Sequence, residues 1–328
     1  MKKAVSILLA VLLVALCGCG AKDEETSDVT SEYVSPVTDF EYTENDDGIT
    51  VTKYIGESTE VSVPATIDGK PVTQIDRLRY DVTSVRMPDT VLRISDHAFS
   101  DCEDLKTVHF SAGLLTIGSR AFYSCGSLGS VTLPERLEVI GYQAFQYCMA
   151  LREVAIPKNV VEIEYEAFGY CPLEKITFAE DGRLESIGSA AFVGAKITEI
   201  TVPASVKLLY GSVFADCTAL TKVTLREGLA LIGHHAFVDT ALTEIVVPAS
   251  VKDVYFRSFF AMDGDEKLKV YFEGDLPDDF FRLVDEFDGT LPEQYFDGVS
   301  EGFHVTLYRH EGAKGFGITD AHITVETW

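Results

Sequence analysis

Basic residues are scarce. Lys and Arg number 27 against 52 Asp and Glu in 328 residues, a net charge of −25. That deficit excludes nucleic acid as a partner, because too few cations are present to displace counterions from a polyanion. It excludes electrostatic docking on anionic lipid for the same reason. Cysteine is also sparse, at seven residues, too few for a disulfide scaffold. Catalytic signatures are missing: there is no G-x-S-x-G elbow, no H-E-x-x-H pair and no Gly-rich phosphate loop. After residue 19 no apolar run approaches the roughly 20 residues that a membrane-spanning helix needs. What remains is ample material for a core, with 46% apolar and 24% charged residues, which excludes a disordered or fibrous chain.

The chain opens MKKAVSILLAVLLVALCGC. Lys2 and Lys3 precede an apolar run from Ala4 to Leu16, broken only by Ser6. The run is too short to span a bilayer and suits the h-region of a signal peptide. Its end, Leu16-Cys17-Gly18-Cys19, resembles the lipobox of bacterial lipoproteins. The resemblance implies a signal peptide over 1–18 and lipid on Cys19; Cys17 is the poorer acceptor because bulky Leu16 precedes it. Two or three acyl chains, at roughly 0.8 kcal/mol per buried methylene, anchor a protein without a spanning helix. Everything beyond Cys19 is then expected outside the cytoplasmic membrane. Loss of 1–18 removes two Lys and no acid, taking the net charge from −25 to −27. Residues 19–37 read as a disordered acidic tether, for residues 20–37 hold five acids and no Ile, Leu or Phe. As a flexible coil this segment spans about 20–25 Å.

A repeat organises most of the rest. Phenylalanines fall at 99, 122, 145, 168, 192, 214, 237 and 259, at intervals of 22 to 24 residues. Aligned on Phe, the units share I-G-x-x-A-F-x-x-C-x-x-L-x-x-V-x-L-P. The L-x-x-V-x-L stretch alternates with the strand period of two, and Pro134, Pro157, Pro203 and Pro248 stand where a strand exits. The I-G-x-x-A-F stretch places Ile, Ala and Phe at i, i+3 and i+4, which predicts a short helical turn. One unit cannot bury its own apolar side, whereas stacked units can, so the period predicts a solenoid.

The repeated units from Ile94 to about Phe272 resemble the BspA-like leucine-rich repeats of bacterial surface proteins. The stretch Gly48–Ile75 is similar to that family's opening hairpin and first repeat. The resemblance implies a parallel β-sheet on one side of the solenoid, short helical turns or loops on the other, and a role in adhesion or protein binding. The chain divides accordingly into an N-terminal capping hairpin and first repeat (38–83), repeats of about 23 residues (84–272) and a C-terminal cap (273–328). A monomer is expected. It departs from the pattern at Ala195 and Thr240, where Cys belongs, and in its aromatic last unit with Phe256 and Phe260.

The residues flanking Val in each L-x-x-V-x-L should point outward. The first outward column ends Glu153, Lys175, Glu199, Lys222, Glu244, Lys269, alternating in sign as a structural ladder. Each exposed pair is worth only about 0–1 kcal/mol. The second column includes Arg86, His109, Thr132, Thr177, Thr201, Thr224 and Tyr271, the candidate binding face. It is mostly small and hydroxylic and lacks the aromatic platforms that stack on sugars, so a lectin-like face is not expected. Arg86 and His109 form its more plausible contact patch.

The other candidates read as structure. Cys102, Cys125, Cys148, Cys171 and Cys217 recur with the repeat, as a column of buried free thiols without a disulfide. Neither they nor His234-His235, His304, His310 and His322 have metal-ligand spacing, and no calcium loop occurs. No metal or cofactor is expected. The reading is therefore a lipid-anchored surface protein that binds protein partners. The alternatives are a structural or sensing component of an envelope system and, more remotely, an enzyme with its site in 273–328.

Overall fold

The computed structural model describes residues 33–260, 268–276, 280, 305–317 and 323–328. Its order begins before the boundary drawn at residue 37. The Ser35 amide donates to the Ser62 carbonyl at 3.0 Å, and the Ser35 hydroxyl accepts from the Ser62 amide at 3.1 Å. An antiparallel hairpin, Phe40–Asn45 with Gly48–Tyr54, then starts the stack, and Lys70–Ile75 joins it in parallel. From there each repeat closes one rung of a parallel β-solenoid, as the period predicts.

The rungs are joined by two ladders rather than one sheet. The continuous one runs through the two-residue strands that end on the repeat's Ile or its equivalent, from Arg93–Ile94 through Val139–Ile140 to Asp253–Val254. The L-x-x-V-x-L strands form the other, which is broken into four sheets. Glu60–Ser62, Ser84–Arg86 and Thr107–His109 make the first; Glu153–Ile156 with Lys175–Phe178 and Glu199–Val202 with Lys222–Leu225 make the next two. In the last, Glu244–Val247 and Lys269–Phe272 are followed by Val305–Arg309 and Ile323–Thr327 in parallel. The described part of 273–328 thus lengthens the ladder by two strands.

In seven units the I-G-x-x-A-F stretch forms turns without a helix, while in the last Phe256–Ser258 make one short turn of 3-10 helix, and the backbone says why. In seven rungs the residues two before and two after Phe have φ between 50° and 75°, from His97 and Asp101 to His235 and Asp239. Left-handed residues at these steps stop a right-handed helix, at about 1–2 kcal/mol each. The amides then alternate in destination. His97, Phe99 and Asp101 donate to Ser119, Ala121 and Tyr123 of the next rung at 2.7–2.8 Å. Between them, Ala98, Ser100 and Cys102 close local turns onto Ser95, His97 and Phe99 at 3.2–3.4 Å. The repeat glycine answers to close approach: a Cβ on Gly141 would lie 2.8 Å from the Ile117 carbonyl oxygen.

Stacked turns produce stacked side chains. The eight phenylalanines, all buried, form one column with ring centroids 4.9 Å apart at Phe99–Phe122, widening to 6.1 Å at Phe237–Phe259. Beside it the cysteines are buried and free. The thiols of Cys125, Cys148, Cys171 and Cys217 donate to the carbonyls of Phe99, Phe122, Phe145 and Phe192, one rung back, at 2.9–3.4 Å. Ala195 fills the slot without that bond, and Thr240 donates to Phe237 of its own rung at 2.9 Å. Desolvation pushes the Cys102 and Cys217 thiols from 9.0 up to about 12 and raises Cys125 and Cys148 as well. The core continues past residue 272, where Phe280 and Phe316 pack edge-on against Phe272 at 5.4 and 5.7 Å.

Three outcomes are expected. Phe145→Ala, which empties the middle of the column, costs about 3–5 kcal/mol in urea unfolding, whereas Lys222→Ala on the face costs under about 1 kcal/mol; equal costs would refute the inside–outside assignment. Gly194→Ala, at φ 75° and with a Cβ 3.4 Å from the Tyr170 ring, lowers stability by about 1 kcal/mol. The buried thiols resist iodoacetamide until the chain unfolds, with or without reductant. Burial holds the Cys102 and Cys217 thiols protonated, so their stabilisation is complete below pH 9.0 and is lost as pH rises towards 12. A melting temperature that falls no faster above pH 9 than that of the Cys102→Ala/Cys217→Ala variant would contradict this.

Candidate functional site

The strand face is built by alternation. Strands such as Glu153–Ile156 and Glu199–Val202 read exposed, buried, exposed, buried, so their first and third side chains share the outer surface. The register sets Glu153 beside Lys175, Glu199 beside Lys222 and Glu244 beside Lys269. Among the described residues of that column an ion pair closes at Lys222–Glu199, 3.9 Å apart. The column is not a continuous ladder, because the sheet breaks between Lys175–Phe178 and Glu199–Val202 and again before Glu244–Val247.

In the second column Arg86 and His109 are register partners, as are Thr201 and Thr224. Thr177 pairs with Ala155, and Tyr271 with Val246. Thr132 is exposed in a stretch that takes no strand. At the break after Lys175–Phe178 the surface sinks into an open concavity of about 540 Å³, lined among others by Lys175, Thr177, Glu199, Thr201, Lys222 and Thr224. Six of the candidate residues are thus brought together, with Arg86 and His109 several rungs away. Cys19 lies outside the described residues.

A second surface, on the turns, was missed by reading strands alone. Three residues before Phe, Tyr142 stacks on Tyr165 at 5.1 Å; two residues after it, Tyr147 stacks on Tyr170 at 5.3 Å. Tyr123 meets Tyr147 edge-on at 5.7 Å, and the Arg120 guanidinium lies 5.5 Å from the Tyr123 ring and 5.7 Å from Tyr142. The four stacked tyrosines are 36–41% exposed, and Met149, two residues after Tyr147, 54%. Between the two tyrosine columns runs a polar chain. Arg120 Nε donates to Gln143 Oε1 at 2.6 Å, Gln143 Nε2 donates to Glu166, and Gln146 Nε2 donates to the same Glu166 Oε2 at 2.6 Å. Gln143 and Gln146 are buried, so this network fixes the ridge from below. Desolvation raises the Tyr147 and Tyr165 phenols above their ordinary value, with neighbouring phenols and Glu166 adding to it; both remain hydrogen-bond donors at neutral pH. The signal was in the sequence: Tyr at 142 and 165 and at 147 and 170 keeps the 23-residue step.

No cluster of His, Cys, Asp or Glu suited to a metal occurs among the described residues, and no helix there is long and apolar enough to cross a membrane.

Residues 79–183 and 181–263 match the family model of the BspA type leucine rich repeat region, in six copies. Among solved structures, a leucine rich cell surface protein from Faecalibacterium prausnitzii is similar over 90% of this chain and 95% of its own, at 21% identity and a TM-score of 0.53. A T. pallidum leucine rich repeat protein is 27% identical over 63% of this chain and 89% of its own, with a TM-score of 0.46. No curated protein matches the chain.

Proposed function

Because the chain belongs to the BspA-type leucine-rich repeat family, whose model spans more than half of it, we propose that it is a lipid-anchored surface protein that binds protein partners through the tyrosine ridge on its turns. The family supports a bacterial repeat protein of the surface type. The basic, apolar start and the Leu16-Cys17-Gly18-Cys19 sequence support an anchor on Cys19.

The observation that carries the reading is the composition and rigidity of the ridge. Interfaces are enriched in Tyr, Met and Arg and depleted in Lys and Glu. The ridge supplies Tyr142, Tyr147, Tyr165, Tyr170, Met149 and Arg120, while the middle of the strand face offers Glu, Lys and Thr, which water solvates well. Stacking already immobilises the tyrosine rings, so little entropy is left to lose on binding. The strand-face concavity is the second reading, favoured by the gap in the ladder that opens it; Arg86 and His109 would lie beyond its edge.

The test compares soluble Cys19→Ser protein with two variants for binding to intact bacterial cells and to purified extracellular-matrix proteins. Replacing Tyr142, Tyr147, Tyr165 and Tyr170 together by Ser is expected to weaken binding by about 30-fold or more, the mark of a hot spot. Replacing Thr177, Thr201 and Thr224 by Ala is expected to change it less than about twofold. The opposite ranking would move the site to the strand face, and no binding by the parent protein would reject the function. In the native chain, Cys19→Ser should shift the protein from the membrane fraction to the medium.

A further inference from the structure

The end of the strand face is chemically unlike its middle. Lys269–Phe272, Val305–Arg309 and Ile323–Thr327 lie in parallel, with Tyr271 beside Tyr308 and Tyr308 beside Glu326. Val270, Phe272 and Leu307 point into the core, which sends Tyr271 and Tyr308 outward. Their rings stack at 4.4 Å with planes 19° apart. The Trp328 amide donates to the Arg309 carbonyl at 2.9 Å, carrying the ladder one residue further. Its indole stands at 67° to the Tyr271 ring, 5.1 Å away, with the His310 imidazole 4.6 Å from it. The Lys269 ammonium lies 5.8 Å from the Tyr308 ring. Trp328 is the only tryptophan of the chain and is 45% exposed.

Strand pairing does not call for these rings. The same outward column holds Thr201 and Thr224, side by side in a ladder that forms without any ring there. The aromatics therefore add something to the surface that the fold does not need. Two ring orientations about 67° apart form a corner rather than a flat apolar patch. Around that corner stand donors, Lys269 and His310, and acceptors, Glu326 and the hydroxyl of Thr306, which is the register partner of Lys269. A pyranose has matching chemistry. Its C–H face, weakly positive, suits the negative face of an aromatic ring, and its hydroxyls both donate and accept. The chain's net charge of −25 disfavours an acidic glycan.

We propose that Tyr271, Tyr308 and Trp328 form a binding site for a neutral oligosaccharide, with a sugar ring stacked against the exposed aromatic faces and its hydroxyls bonded to Lys269, His310 and Glu326. This goes beyond the protein-binding ridge and does not depend on it. Reading the repeats alone finds no aromatic platform, because Tyr271 stands single in its column there; Tyr308 and Trp328, beyond the repeats, complete one with it.

The single tryptophan makes the site self-reporting. The full chain is titrated with maltohexaose, cellohexaose, xylohexaose, mannohexaose and chitohexaose while Trp328 fluorescence is followed. At least one sugar is expected to give a saturable shift with a Kd of about 1 mM or tighter. Affinity electrophoresis on the matching polysaccharide then compares variants. Trp328→Ala, a surface change outside the core, should reduce retardation at least about tenfold, as should Tyr308→Ala, and the Tyr142/Tyr147/Tyr165/Tyr170 variant should leave it unchanged. Thermal midpoints of each variant separate loss of the site from loss of the fold. No saturable response to any of the five sugars, or binding that Trp328→Ala leaves intact, overturns the proposal. So does a cluster that fails every sugar but whose Trp328→Ala variant loses binding to cells, which would mark it as a protein contact.

Discussion

Each Phe turn carries amides that it cannot satisfy by itself. In the seven rungs with left-handed residues on either side of Phe no helix can form, and a tight turn can close only every second N–H onto its own carbonyls. The others, at the Phe and two residues to each side, find acceptors solely on the next rung. A rung without a neighbour would leave three amides per turn unpaired beneath a ring that is wholly buried. Stacking is thus a condition of each turn's existence, and the nearest-neighbour cohesion of a solenoid arises from backbone bonds as much as from apolar contact.

That condition explains what the columns contain. Once rungs repeat at a fixed offset, each position meets only copies of itself, so a residue survives where its self-contact is favourable. Phe stacks on Phe, and Tyr on Tyr where the turn surface is wet. Cys sits in the narrow place behind the Phe carbonyl, where a small weak donor is enough. The slot accepts Ala195 without loss of burial, which shows that volume rather than thiol chemistry selects it. Like charges are excluded from direct contact by the same logic, and the Glu–Lys alternation of the strand face follows, although an ion pair closes at only one of its steps among the described residues.

The solenoid, the register of the face and the inward set were legible because they depend on period alone. Phe every 23 residues and Val flanked by polar residues are sufficient to align Glu199 with Lys222 or Thr201 with Thr224. The character of the turn was not legible. Ile, Ala and Phe at i, i+3 and i+4 fit a helix equally well, and although Asp, His or Gly holds some of the positive-φ positions, others fall on Arg120, Gln143, Tyr147 and Glu166, residues with no strong left-handed preference. Tertiary bonding overrides local propensity there. The gaps in the face ladder were hidden too, since Lys175–Phe178 and Glu199–Val202 carry the same alternation as strands that pair. The tyrosine ridge was visible in the spacing, but attention to strands passed over it.

The two aromatic surfaces differ in what supports them, and this bears on what they can do. The ridge rests on Gln143, Gln146 and Glu166, joined in a polar network between two pairs of stacked rings. Such a surface is rigid, broad and rimmed by phenol hydroxyls, suited to a partner that already has a complementary shape. The cluster at Tyr271, Tyr308 and Trp328 lies where the period has ended, and its column no longer has to repeat itself. Freed from self-contact, neighbouring strands can carry different residues, so Lys269, His310 and Glu326 surround rings set at an angle. A repeating surface can offer only one chemistry many times over; a site that needs several kinds of group at one point has to be built where the repeat stops.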